Sequence, residues 1–374
     1  MTARSTYIHV PFCVHRCGYC DFTLVAGRDD LMSDYLRAIG IELARVTDRP
    51  VLDTLFLGGG TPTHLPPDRL RRLIELICSR FDLAPDAEFS VEGNPADLSD
   101  ETLDVLVESG VNRLSLGVQS FDDTMLQRLE RDHSRAEIVE CLTRVRNRID
   151  NVSLDLIFAV PGQSLRQWRE TLAEAIALQP QHLSTYGLTF EKGTSFWSRR
   201  EHGLLQQADE ELERDMYAAA MDTLESAGFA QYEISSFARP GFRCRHNQMY
   251  WNGGEFFGFG PGAASYLNGS RILNHRSVHT WLKRTLAGQS ATGETETLNQ
   301  EECARERLVL GLRQTEGICL DQFEQQSGIS AAELVGESIQ QLLERGLIEE
   351  EAGQLRLTRE GCFLADTVAG ELLN

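Results

Sequence analysis

Residues 6–22 read TYIHVPFCVHRCGYCDF. The opening TYIHV is a candidate strand, rich in β-branched and aromatic residues. The loop behind it holds three cysteines, Cys13, Cys17 and Cys20, spaced C-x3-C-x2-C. Strand followed by loop then recurs along the chain. Further candidate strands lie at 54–58, 88–92, 113–118, 152–158 and 182–190, and helical patterns near 30–46, 67–80, 100–109, 122–146, 165–177 and 206–226 alternate with them. This alternation predicts βα units and a parallel sheet, and crossovers of a single hand curl that sheet. The units are fewer than a closed eight-stranded barrel requires. The expected fold class is therefore α/β, a partial (β/α)6 barrel. Ligands of such sheets sit at the C-terminal strand ends. There fall PFCVHRC, GGGTP (58–62), EGNP (92–95), QSF (119–121) and VPGQS (160–164). Loops gathered on one edge predict one site.

This pattern fills residues 1–228, the expected first domain. From 229 to 298 the chain turns Gly- and aromatic-rich without helical periodicity, and it includes CRHNQMYW (244–251). Residues 299–374 form a helical stretch ending in helix, strand, turn and strand, LLERGLIEEEAGQLRLTREG (342–361). The expectation for them is a C-terminal α+β region with a winged-helix-like end piece.

The 374 residues carry a formal charge of −20, which repels phosphate backbones and argues against nucleic acid as a partner. The chain has no run of 18 apolar residues, so no transmembrane segment is expected. The N-terminus lacks the hydrophobic stretch of a secretion signal. The expected location is the cytoplasm, where nine cysteines, an odd number, read as free thiols and metal ligands rather than a disulfide framework.

Two metals suit the clustered thiols. Structural zinc takes four protein ligands, and the segment offers only His9 or His15 as a fourth. Inside the tight loop His15 is expected to point away. An iron–sulfur cluster also takes cysteine thiolates. Three of them on a cubane of four irons leave one iron open, able to chelate a small molecule through an amine and a carboxylate. S-adenosylmethionine (SAM) has both, and a reduced cluster can pass an electron to its sulfonium.

The spacing C-x3-C-x-aromatic-C, with Tyr19 before the last cysteine, resembles the signature of radical SAM proteins. Within them the chain is most similar to the group of oxygen-independent coproporphyrinogen oxidases (HemN) and haem chaperones (HemW). The resemblance runs from Tyr7 past Trp251 and more weakly through the end piece. It implies a [4Fe–4S] cluster on Cys13, Cys17 and Cys20. It also implies SAM contacts from Tyr7, Gly60, Thr61, Glu92, Gln119, Arg131 and Asp155. Taken alone, each of these has a plainer reading: a glycine turn, a strand-end Glu, a solvated helical Arg. Phe22 stands where the oxidase carries a further cysteine and HemW-type sequences carry Phe.

In CRHNQMYW, residues His246, Asn247, Tyr250 and Trp251 form H-N-x-x-Y-W. Imidazole and thiolate ligate haem iron, and aromatic rings cover flat apolar ligands. The plainer reading is a turn with core aromatics. The resemblance implies haem binding by these four residues. Cys244 is a further candidate, or simply a buried thiol. Four departures stand out: Gly18 for Pro, EGNP for EANP, FAVPGQ (158–163) for HGLPGQ, and Ala264 for a common His.

The expected function is a haem chaperone. It would bind the cluster, SAM and haem and deliver haem to an apo-haemoprotein such as a respiratory enzyme, with a homodimer among the implied forms. No catalytic residue is assigned on that reading. The alternatives are radical decarboxylation of coproporphyrinogen III propionates and radical chemistry on another tetrapyrrole. The cysteine motif and the SAM-facing residues are shared by all three.

Overall fold

A computed structural model describes residues 3–373. Chain order begins β1 (Ser5–Val10), α1 (Met32–Leu43), β2 (Val51–Gly59), α2 (Pro67–Cys78), β3 (Asp82–Gly93), α3 (Asp100–Glu108) and β4 (Arg113–Gln119). It continues α4 (Asp123–Arg128), α5 (Arg135–Arg146), β5 (Asn151–Phe158), α6 (Leu165–Ala177), β6 (His182–Gly187), α7 (Ser195–Glu201) and α8 (Glu210–Ser226). Short strands β7 (Ala230–Gln231) and β8 (Ser236–Ala238) precede α9 (Arg245–Trp251) and β9 (Phe257–Phe259).

These strands form one sheet in the order β9-β1-β2-β3-β4-β5-β6-β8-β7. Strands β9 and β1 to β6 run parallel, while β8 and β7 add an antiparallel edge. No pairing joins β9 to β7 among the described residues, so the expected α/β barrel is open. The segment after 229 thus supplies strands to both edges.

Period-two alternation sets the two faces of each strand. In β4, Leu114, Leu116 and Val118 are fully buried against helices, whereas Ser115, Gly117 and Gln119 line an internal cavity. In β3, Phe89 and Val91 face out, and Glu88, Ser90 and Glu92 face in. The apolar layer therefore lies between sheet and helices, each buried Leu or Val contributing about 1.5–3 kcal/mol. The barrel interior is polar.

Three further strands, β10 (Ala264–Leu267), β11 (Ser270–Asn274) and β12 (Thr292–Thr297), form an antiparallel meander that brackets α10 (Val278–Leu286). The C-terminal unit contains α11 (Gln300–Leu312), β13 (Ile318–Cys319), α12 (Leu320–Ser327), α13 (Ala331–Glu344), β14 (Ile348–Glu351), β15 (Gln354–Leu357), α14 (Arg359–Phe363) and α15 (Ala365–Leu373). Its strands pair β13-β15-β14, and it has its own core around Leu308, Leu342 and Leu355.

Several local expectations change. The segment 229–298, expected to lack helical periodicity, holds α9 and α10. The helical pattern 122–146 is two helices, because Glu130 takes a left-handed φ of 57° and Ser134 opens α5 with a capping box to Glu137. Arg131, expected on a helix, lies in the break. The last barrel strand ends at Gly187 rather than 190, and α7 was not anticipated.

Candidate functional site

Cys13, Cys17 and Cys20 follow β1 and line one cavity of about 460 Å³ at the C-terminal ends of the strands. The loop is pinned from several sides. Arg16 donates to the Cys20 and Leu24 carbonyls at 3.1 and 3.0 Å. The Gly60 and Thr61 N–H groups donate to the Val10 and Phe12 carbonyls at 2.8 and 2.7 Å. A Cβ on Gly60 would lie 2.7 Å from the Phe12 oxygen, so only glycine allows the two loops to join. Thr61 Oγ1 then sits 3.3 Å from Cys13 Sγ.

Gly18, the departure from Pro, has a packing reason. A Cβ there would lie 2.2 Å from the Phe196 ring, and the Phe196 N–H donates to the Gly18 carbonyl at 2.8 Å. The α7 aromatic occupies the space that a side chain at 18 would need. His15 faces the Glu130 carbonyl at 2.5 Å instead of reaching toward the thiols. His9 is engaged too, by the Tyr7 hydroxyl and the Thr23 carbonyl, and burial lowers it to about 4.

The break between α4 and α5 aims Arg131 inward. Its Nη1 donates to Cys17 Sγ at 3.4 Å, and its Nη2 to Asn94 Oδ1 at 3.0 Å and the Gly117 carbonyl at 3.1 Å. Asn94 is braced in turn by Asp132 at 3.1 Å and His133 at 2.9 Å. Glu92 accepts the Gly59 N–H at 2.9 Å, and burial raises its carboxyl to about 7. Asp155 accepts from Ser115 at 3.2 Å and is likewise raised by burial. Gln119 ends β4 at a φ of 66°, a strained turn at the cavity edge. Gly60, Thr61, Glu92, Gln119, Arg131 and Asp155 thus share one cavity with the thiols. Tyr7 lies outside it, on two neighbouring cavities.

A polar chamber of about 200 Å³ lies deeper in the barrel, sharing Glu92, Ser115, Asp155 and Tyr186 with the first cavity. Helix α9 plugs it. His246 is 1% exposed there, its Nδ1 2.8 Å from Thr54 Oγ1 and its Nε2 2.9 Å from the Tyr250 hydroxyl. Burial lowers its pKa to about 3. The four H-N-x-x-Y-W residues do not converge on one space. His246 and Asn247 face the chamber, and Tyr250 walls both the chamber and a third cavity. The Trp251 ring lies under Arg313, 4.6 Å away. Cys244 is a buried thiol 3.6 Å from Glu88.

The sequence reading missed Asn94, Ser115 and Phe196. Asn94 had a signal, its place in the strand-end EGNP. Arg113 was also missed: it is 2% exposed, and its Nε has no hydrogen-bond partner among the described residues.

Among the described residues no three His, Cys, Asp or Glu side chains are grouped to hold a single metal ion. Three thiols on one wall, with no protein ligand beside them, suit a cluster with one unliganded iron. Burial pushes the Cys13 thiol up to about 12 and raises Cys20, so cluster assembly must displace their protons.

A model of the radical SAM superfamily matches residues 7–175, and one of the HemN C-terminal domain matches residues 298–364. The chain is 37% identical over 375 residues to the heme chaperone HemW of Bacillus subtilis, covering 99% of each. It is 36% identical over 371 residues to that of Lactococcus lactis, covering 99% of this chain and 97% of the relative. The solved coproporphyrinogen III oxidase (HemN) from Escherichia coli superposes with a TM-score of 0.87 at 22% identity, covering 99% of this chain and 90% of that one. At that identity the likeness concerns the fold.

Proposed function

Because this chain belongs to the HemW family of radical SAM proteins, we propose that it is a haem chaperone that carries a [4Fe–4S] cluster and SAM and delivers haem to an apo-haemoprotein. The observation that carries the proposal is the single cavity formed by Cys13, Cys17 and Cys20 with Arg131, Glu92 and Asp155.

Cys13, Cys17 and Cys20 would hold the cluster. When bound, it supplies an open iron for SAM and, once reduced, an electron. The surrounding residues bind and orient. Arg131 offers its guanidinium beside Cys17, where a carboxylate is gripped by charge-assisted hydrogen bonds. The Gly60 and Thr61 N–H groups are spent on the Val10 and Phe12 carbonyls, so this loop meets a ligand with acceptor oxygens, which suits an ammonium. Glu92 and Asp155 offer carboxyl oxygens to hydroxyl donors such as a ribose diol. Phe22 is 55% exposed beside the cluster loop and brings an apolar ring, not a thiol, to the cavity mouth.

The recipient is an apo-haemoprotein, a respiratory enzyme being our choice to test first, and the working form includes a homodimer contact. No helix among the described residues is long and apolar enough to cross a membrane. We place the protein in the cytoplasm.

The test is anaerobic reconstitution followed by two assays on one preparation: haem titration, and incubation with SAM, reductant and coproporphyrinogen III. Haem binding without decarboxylation is expected. Stoichiometric 5′-deoxyadenosine and CO2 with no haem binding would make the protein an oxidase instead.

A further inference from the structure

The third cavity, about 350 Å³, opens beside the cluster cavity and shares Phe22, Gly59 and Glu92 with it. Its walls are aromatic: Tyr7, Phe22, Tyr250 and Phe256, the last two edge to face with centroids 4.6 Å apart. One side of it is Gly262, Ala263 and Ala264. Ala264 replaces the His expected from the resemblance, so that side is low and open to a flat ligand.

At the rim stands Arg276. It is exposed and has no hydrogen bond or ion pair among the described residues. Asp21 also lies on the rim but does not pair with it. An unpaired guanidinium beside an aromatic slot is complementary to a flat ring that carries a carboxylate.

The imidazole and phenol groups around the slot are already engaged. His9 is bonded at both ring nitrogens and the Tyr7 hydroxyl is bonded to His9. The Tyr250 hydroxyl is bonded to His246, which is itself bonded on its other side to Thr54.

We infer that this slot is the tetrapyrrole site, that it grips the macrocycle face and a propionate through Arg276 rather than the iron, and that His246 acts there only by positioning Tyr250. The inference rests on the haem-chaperone reading and adds where the cargo sits and what is recognised. A cargo held without an axial bond leaves its iron for the ligands of the recipient, which suits delivery.

The experiment titrates the reconstituted full chain with three probes: ferric haem, metal-free protoporphyrin IX, and haem dimethyl ester. Haem and the metal-free ring should bind within about threefold of each other. The ester, lacking carboxylates, should bind about tenfold more weakly. Arg276→Ala, at an exposed position, should weaken haem and the metal-free ring about tenfold and leave the ester unchanged. His246→Ala should weaken haem and the metal-free ring by one common factor. Failure of the metal-free ring to bind, an unchanged Arg276→Ala, or a His246→Ala loss confined to haem would each overturn the inference while leaving the chaperone reading intact. No haem binding by the unsubstituted chain would overturn that reading itself.

Discussion

Ala159, just after β5, has a φ of 59°, a conformation that favours glycine. The related pattern HGLPGQ carries glycine there, and this chain carries FAVPGQ. The left-handed backbone is imposed by the turn that leads from β5 into the Gln163–Val160 hydrogen bonds. Ala159→Gly should therefore change stability by less than about 0.5 kcal/mol, because the relieved strain is offset by the larger chain entropy of glycine and by the loss of a methyl buried in the core. Urea unfolding reads this directly, and a shift of more than about 1 kcal/mol in either direction would contradict it. Single residues also show the reach of sequence. The three cysteines were legible because their ligand geometry is local. The placement of His246 was not, because its partner Thr54 is 192 positions away and only the folded sheet brings them together. Gly18 stood out only as a departure from Pro, and its reason is the Phe196 ring in the space beside it.

At the level of elements, the βα order and the strand-end loops were readable, and each of the six expected strands exists. Their inner faces were not recognised. The candidate strands carry a second signal: RLSLGVQ alternates, placing Arg113, Ser115 and Gln119 inside and Leu114, Leu116 and Val118 outside. Parallel strands covered on both faces are usually near-continuously apolar, so alternation of this kind was itself the mark of a polar interior. The helix break at Glu130 was hidden because one left-handed residue suffices to make it.

Helix α1 supplies a second case of buried charge. Glu42, 5% exposed, accepts from Gly260 N at 3.0 Å, Asn274 Nδ2 at 2.6 Å and Trp281 Nε1 at 3.2 Å, tying α1 to the meander and α10. Burial outweighs these donors and raises its pKa from 4.5 to about 7. The folded state then holds a proton that the unfolded chain has released between these values. Stability from Glu42 is present below 4.5 and is lost as pH rises to about 7. Urea midpoints of the unsubstituted protein, measured against Glu42→Gln, should fall across this window. A pH-independent difference would refute the assignment.

For the whole molecule, adjacency of the cavities has a thermodynamic consequence. Glu92 lines all three, and Phe22 and Gly59 stand between the cluster cavity and the aromatic slot. A ligand that reorients these residues in one cavity alters the other, and the coupling must be reciprocal. SAM should shift the haem affinity of the reconstituted protein, haem should shift the SAM affinity by the same factor, and Phe22→Ala should reduce both shifts. Equilibrium titrations in both orders check this, and independence of the two ligands would contradict it.

The proposed function depends most on a cluster bound by three thiolates with one iron left for SAM. Electron paramagnetic resonance of the anaerobically reconstituted, reduced protein tests it most directly, recorded with and without SAM. We predict the signal of a reduced four-iron cluster that changes when SAM is added and disappears in Cys17→Ala. A spectrum indifferent to SAM, or no cluster signal at all, would contradict it.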